Sequence, residues 1–276
     1  GCFFFFNDTA TTEIYTEEST LSLHDALYRI VSISEMRDLI SQMGVTKARQ
    51  EVIEIAYNRM EQMIIQVLSE VEAVTTHIDE TFYYLTNNID PIRNRVDPMY
   101  KRHRKKNRWA NRLRNYIIQE PSFEVKYSLT LEADDMIYDK AKAMRSRGED
   151  FIVISKDKDL KQIEGLYFDY YKEKTGQLDE YFKDIKQYRG LSVISKEDAE
   201  YLLARQMLMG DSVDNIKGIP KIGPVKADKI LLNKKGYGLF RAVYLTYLGH
   251  YHHRFIAKNE FNKTLRLVKI GSSTII

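Results

Sequence analysis

Seven carboxylates fall into three short clusters in this 276-residue chain. Glu132, Asp134 and Asp135 lie in Leu131-Glu132-Ala133-Asp134-Asp135, Asp157 and Asp159 in Ser155-Lys156-Asp157-Lys158-Asp159, and Asp211 and Asp214 in Gly210-Asp211-Ser212-Val213-Asp214-Asn215. Carboxylates spaced this tightly repel one another unless cations neutralise them. A donor set that is all oxygen, without a Cys or His cluster, favours Mg²⁺ or Mn²⁺ over zinc. The single cysteine, Cys2, leaves no disulfide framework and no cysteine-based zinc site, and a reducing compartment is the natural setting. The chemistry this pattern suggests is hydrolysis of a phosphodiester assisted by two metal ions.

Each cluster also has a structural reading. Glu132, Asp134 and Asp135 open a helix, where acids complement the helix dipole, so alone they read as capping residues. Asp157 and Asp159 directly follow the apolar run 151–155, at the carboxyl edge where open α/β sheets place their sites. Two residues apart in an extended segment, they can face one ion. Asp211 and Asp214 follow a helix end, where acids oppose the dipole and capping does not explain them. Taken together, the clusters favour one shared metal site.

Behind the last pair comes Ile216-Lys217-Gly218-Ile219-Pro220-Lys221-Ile222-Gly223-Pro224-Val225-Lys226. Gly218 and Gly223 bracket a tight turn that opens a helix, and backbone N–H groups in such a turn form a small anion nest. Lys217, Lys221 and Lys226 add positive charge. This is a helix-hairpin-helix pattern, which holds a nucleic-acid backbone without reading bases. A second basic element lies upstream. Between Pro98 and Gln119 there is no acid, while Lys101, Arg102, Arg104, Lys105, Lys106, Arg108, Arg112 and Arg114 interleave with Tyr100, Trp109 and Tyr116. A solvated helix face normally mixes signs, and nucleic-acid contact explains this stretch better.

These groups need elements to position them. Ile53, Ala56, Tyr57, Met60, Ile64, Val67 and Val71 recur at spacings of three and four within a helix over 34–71. β-Branched and aromatic residues predict strand at 74–85, a looser alternation predicts strand at 123–131, and 133–144 is helical with Ile137, Ala141 and Met144 on one face. With the buried-type strand 151–155 this makes a βαβ unit. Strand pieces follow in the tyrosine-rich stretch 165–195. Ser195 and Asp198 then open a helix whose inner face carries Ala199, Leu202, Leu203 and Met207. The expected fold is α/β, with a mainly parallel sheet flanked by helices.

Residues 1–30 resemble translated sequencing adapter and are set aside as a non-native segment, so that the chain starts in earnest near Ile30. Without their five acids and one base the remainder has 41 basic and 34 acidic residues, a net charge of +7 that suits a polyanionic partner. No apolar run reaches membrane-spanning length, and a cytoplasmic location is expected.

The motifs at Leu131 to Asp135, Ser155 to Asp159, Gly210-Asp211 with Asp214-Asn215, and Gly218-Ile219-Pro220 through Gly223 resemble the flap endonuclease/5′→3′ exonuclease family. That family includes the 5′-nuclease domain of bacterial DNA polymerase I and phage-encoded nucleases, and the phage type is the nearer likeness. The resemblance covers residues 85–235, and 261–268 is similar to the family's C-terminal helix. It implies a 5′-nuclease core over 31–194 and a helix-hairpin-helix region with C-terminal helices over 195–276. It assigns Glu132, Asp134 and Asp135 to a first Mg²⁺, Asp211 and Asp214 to a second, and Asp157 and Asp159 between them. Arg95, Tyr100, Lys101, Arg104 and Lys105 would lead into an arch over DNA, with Lys101 and Arg104 aiding catalysis, and Gly218, Lys221, Gly223 and Lys226 would hold the duplex. The implied substrate is DNA with a 5′ end or flap, extending to RNA–DNA hybrids, with replication proteins as partners. The family's first strand, ending in an Asp ligand, is expected to be missing here. For a further Asp ligand after the next strand, Asp79 and Asp90 are the candidates.

Overall fold

The computed structural model describes residues 2–6, 33–75, 77–86, 90–104, 108–119, 124–170 and 190–275. Its centre is a six-stranded sheet of β1 (Cys2–Phe6), β2 (Thr81–Thr86), β3 (Val125–Ser128), β4 (Ile152–Ile154), β5 (Gly165–Phe168) and β6 (Leu191–Ile194), in the order β3-β2-β1-β4-β5-β6. All neighbours are parallel except β5 and β6. The chain winds outward from β1 in both directions, so the order reverses between β1 and β4. Such a reversal opens a crevice at the carboxyl ends of β1 and β4.

Alternation along the strands explains why both faces are covered. Tyr83, Leu85, Ile152, Ile154 and Phe168 enter one apolar cluster, with α1 (Ile33–Glu72). Tyr84, Val153 and Tyr167 enter another, with Ile137, Ala141 and Met144 of α4 (Ala133–Ser146). Successive side chains point to opposite faces, and a parallel sheet buries both. All seven apolar positions expected on α1 are buried. The helix is interrupted at Gly44, whose φ of 80° and ψ of 161° are not helical. After the four-residue α2 (Arg93–Val96) comes α3 (Arg108–Gln119), which lays Leu113 and Ile117 on α1, where Tyr57 and Tyr116 meet edge to face at 5.2 Å.

The chain continues through α5 (Lys196–Met209), a two-stranded hairpin of β7 (Gly210–Asp211) and β8 (Ile216–Lys217), then α6 (Pro224–Leu231), α7 (Tyr237–Tyr251), α8 (Arg254–Val268) and α9 (Ser272–Ile275). Ser195 caps α5 reciprocally with Asp198, as its sequence predicts. Leu203, Met207, Ile216, Leu239, Val243, Tyr247 and Leu267 form a third apolar cluster joining these helices.

Two expectations change. Cys2–Phe6, part of the segment set aside as non-native, is the central strand, paired on both edges, where the first strand was expected to be missing. The rest of that segment lies outside the described residues, as does 171–189 of the tyrosine-rich stretch. Asp211 and Asp214 follow directly on the end of α5 at Met209, as expected, and sit on the β7–β8 hairpin and its turn.

The hairpin depends on two glycines. A Cβ on Gly210, at φ 72°, would lie 2.3 Å from the Gly218 nitrogen, and one on Gly218 would lie 2.1 Å from the Met209 carbonyl carbon. Gly210→Ala or Gly218→Ala should each destabilise the chain by about 3 kcal/mol, at the upper end for overpacking, seen as a lowered thermal midpoint. Gly223 has open space where a Cβ would stand, so Gly223→Ala should melt like the unsubstituted chain.

Candidate active site at the carboxyl edge of the sheet

Arg93, only 2% exposed, organises the acidic cluster. Its Nη1 donates to Glu132 Oε2 at 2.8 Å and Asp135 Oδ2 at 2.7 Å, and its Nη2 to Asp135 Oδ1 at 2.7 Å. Its Nε and Nη2 also donate to the carbonyls of Leu267 and Lys269. Glu132 further accepts from Tyr100 Oη at 2.7 Å and from Lys101 Nζ. Burial would raise the Glu132 carboxyl, but Lys101 and Arg93 outweigh it and hold it at about 2. Asp135 also accepts the Gly271 N–H at 2.9 Å. Glu132 and Asp135 are thus already neutralised by protein cations.

Asp134 and Asp159 are in the opposite condition. They line one cavity with Asp211 and Asp214, walled by Arg93, Tyr100, Gln206 and Ile270. Burial and the adjoining Asp135 push the Asp134 carboxyl well above its usual range. Burial and Asp157, with further pressure from Asp211 and Asp214, push Asp159 up to about 8. These two groups are where a divalent cation would relieve most repulsion. Oxygen atoms of Glu132, Asp134 and Asp135 lie within 4.8 Å of one another, and this all-oxygen set suits a hard ion.

Asp157 and Asp159 are not on an extended segment. Asp157 caps a 3₁₀ turn, Lys158–Gln162, and its Oδ1 accepts the Asp159 N–H at 3.0 Å. Asp159 faces the cavity, whereas Asp157 is not part of its lining. Asp211 accepts the Val213 N–H at 2.8 Å and meets Lys158 Nζ at 3.3 Å. Asp214 pairs with Arg104 and lies 3.6 Å from Lys101 Nζ. Lys101 and Arg104 are therefore set among the carboxylates themselves. Arg95 is on the surface, bound to Asp90 at 2.7 Å, and Arg93 takes the inner position. Tyr100 is buried, Lys221, Gly223 and Lys226 are exposed on the hairpin side, and Lys105 lies outside the described residues. Asp79 precedes β2, at the wrong edge of the sheet, and Thr86 ends that strand, its hydroxyl accepting the Ala133 N–H at 3.0 Å.

No protein-family model matches the chain. Over 104 residues it is 33% identical to the 5′-3′ exonuclease of Buchnera aphidicola subsp. Acyrthosiphon pisum (strain APS), covering 38% of this chain and 34% of that protein. Over 102 residues it is 37% identical to DNA polymerase I of Rhizobium leguminosarum, covering 36% of this chain and 9% of the polymerase. Part of the chain is thus similar to 5′-3′ exonucleases. The match spans about a third of the exonuclease's length and a tenth of the polymerase's. The crystal structure of the T5 D15 protein co-crystallised with metal ions superposes with a TM-score of 0.50 at 16% identity, over 82% of this chain and 84% of that one. The chain thus shares that α/β fold, as its sequence led one to expect.

Sequence reasoning passed over three residues of this site. Arg93 sits two residues from the arginine it favoured. Gln206 donates to Asp159, and Gln162 donates to Gln206 Oε1 at 2.9 Å and to the Val268 carbonyl at 2.8 Å. Gln206 carried a readable signal: it is a polar residue three positions after Leu203 on a face otherwise apolar, and it is buried.

Proposed function

We propose that the chain is a metal-dependent, structure-specific 5′ nuclease that hydrolyses phosphodiesters near a 5′ end or flap junction in DNA. The observation that carries this reading is the convergence of Asp134, Asp159, Asp211 and Asp214 on one cavity at the switch point of the sheet. The kinship with 5′-3′ exonucleases supports it. Glu132, Asp134 and Asp135 would hold one Mg²⁺ and Asp211 with Asp214 a second, Asp157 and Asp159 lying between, with Mn²⁺ able to substitute. Such ions supply a water of lowered pKa and a counter-charge for the leaving 3′ oxygen. Lys101 and Arg104, beside Glu132 and Asp214, are placed to exchange those partners for the scissile phosphate and balance its transition-state charge. Tyr100, bonded to Glu132, fixes that carboxylate's orientation. RNA–DNA hybrids, replication proteins and a cytoplasmic setting, that of the host if the gene is a phage's, belong to the same proposal. Among the described residues no helix is long and apolar enough to cross a membrane.

A binding module that no longer cuts is the second reading. Thr86, standing at the β2 end where a carboxylate ligand was sought, favours it. One experiment separates the two: incubation with a 5′-labelled flapped duplex in Mg²⁺ and in EDTA. Mg²⁺-dependent cutting near the junction is expected, and binding without cutting would establish the module instead.

Metal binding should also depend on pH. At about 8, Asp159 holds its proton near neutrality, and an entering cation must displace it. Mg²⁺ affinity should therefore climb as pH rises towards about 8 and level off above it, with protons released, as calorimetry in buffers of different ionisation enthalpy would register. The sign for folding is opposite. A carboxyl raised from 3.8 contributes stability that is full below that value and is lost as pH rises through about 8, so metal-free chain should weaken between pH 3.8 and about 8 where Mg²⁺-loaded chain does not.

A further inference from the structure

Gln162 and Gln206 are buried, each at 7% exposure. Gln162 ends the 3₁₀ turn three residues after Asp159, a spacing at which side chains on such a turn eclipse one another. The Gln206 side chain reaches from α5 to both. Gln162 Nε2 donates to Gln206 Oε1 at 2.9 Å, and Gln206 Nε2 donates to Asp159 Oδ1. The direction of these bonds is fixed from outside the pair. Gln162 Nε2 also donates to the Val268 carbonyl at 2.8 Å, and its Oε1 accepts the Ile270 N–H at 3.2 Å. A backbone carbonyl can only accept and a backbone N–H can only donate, so the Gln162 amide has one orientation. Its second Nε2 hydrogen then meets the Gln206 oxygen, and Gln206 is left to present an N–H to Asp159.

The backbone that sets this order serves the other half of the site as well. The carbonyls of Leu267 and Lys269 accept from Arg93 and the Gly271 N–H goes to Asp135, whereas Val268 and Ile270 serve Gln162. Odd and even positions of 267–271 thus address Asp135 and Asp159 separately. The means differ. Asp135 is met by a guanidinium, Asp211 by Lys158 and Asp214 by Arg104, whereas the amide on Asp159 orients the carboxylate without cancelling its charge. We propose that Gln206 is the positioning residue of Asp159, and that with Gln162 it forms a neutral relay, hung from 267–271, that aims this carboxylate at a divalent cation. The proposal rests on the nuclease reading above, which takes Asp159 as a metal ligand. Packing alone would be served by another apolar side chain, as at Leu203 and Met207 on the same helix face, and a buried amide is tolerated only where its hydrogen bonds are made.

The test is titration of the full, metal-free chain with Mn²⁺, the free ion counted by electron paramagnetic resonance, with each variant first melted in EDTA to establish that it is folded. Gln206→Met keeps the length of the side chain and removes the donor. It should bind Mn²⁺ about 10- to 100-fold more weakly, the usual loss when a metal ligand is deprived of its hydrogen-bond partner. Gln206→Asn, an amide too short to bridge Gln162 and Asp159, should show the same loss and serves where the methionine variant does not fold. Gln162→Met should weaken binding less and add nothing to the loss in Gln162→Met/Gln206→Met, because Gln162 acts through Gln206. A Gln206→Met chain that melts lower yet binds Mn²⁺ as tightly makes Gln206 a packing residue and overturns the relay. Losses that multiply in the double variant overturn it too. Weakened Mn²⁺ binding in variants of a chain unable to cut a flapped duplex upholds the relay while the nuclease reading falls. Cutting by the unsubstituted chain, with Mn²⁺ affinity indifferent to Gln206, leaves the nuclease and removes the relay.

Discussion

Arg93→Ala should destabilise the chain by about 3–5 kcal/mol, the range for breaking a buried ion pair from one side. The guanidinium is 2% exposed and forks between Glu132 and Asp135, whose side chains are 7% and 0% exposed. Removing it strands charge in a place water cannot reach and orphans the carbonyls of Leu267 and Lys269. Arg93→Lys should recover only part of the loss, because an ammonium cannot span two carboxylates in the planar fork that arginine offers. Denaturant titration of the metal-free chain is the measurement. A loss under about 1 kcal/mol for the alanine variant would mean that the cluster is held by Lys101 and Tyr100 instead. Adding Glu132→Gln and Asp135→Asn to Arg93→Met tests the cause, since neutralising all three partners should return most of the stability.

Cleavage should fall by more than about 100-fold in Asp157→Asn/Asp159→Asn, since even groups one shell removed from a metal typically account for 10- to 100-fold. Asp159 faces the cavity, and Asp157 fixes it through its backbone N–H and through charge. Duplex affinity should persist, because Lys221 and Lys226 are exposed and do not line the cavity, and the removal of two negative groups can only help a polyanion approach. Single-turnover cleavage of a flapped duplex beside anisotropy measures both. Cutting at the original rate would remove the pair from the mechanism. Equal loss of binding and cutting would make their role structural.

Much of this architecture was legible before any coordinates. The spacing of Ile53 through Val71 is a property of α-helical geometry and needs no tertiary knowledge, and the same is true of the Ser195–Asp198 cap. The three acidic motifs were legible because like charges in proximity demand an explanation. What stayed hidden was set by partners far away in sequence. Nothing local distinguishes Arg93 from Arg95; their fates diverge because one turn of helix points the first at Glu132 and leaves the second against Asp90 on the surface. The conformation at Asp157 was misjudged because Asp157 accepts the Asp159 N–H and so closes a 3₁₀ turn where alternation implied extension. β1 was set aside on its origin, yet its backbone pairs in parallel with both β2 and β4.

The contacts from Arg93 to Leu267 and Lys269, and from the Gly271 N–H to Asp135, also bear on how the protein is born. Asp135 leaves the ribosome well before Gly271, and at synthesis rates of about 5–20 residues per second the interval is roughly 7–27 s. During that time the nascent acidic loop lacks the backbone that later closes around it. The carboxylates are thus assembled only once the far end of α8 has arrived.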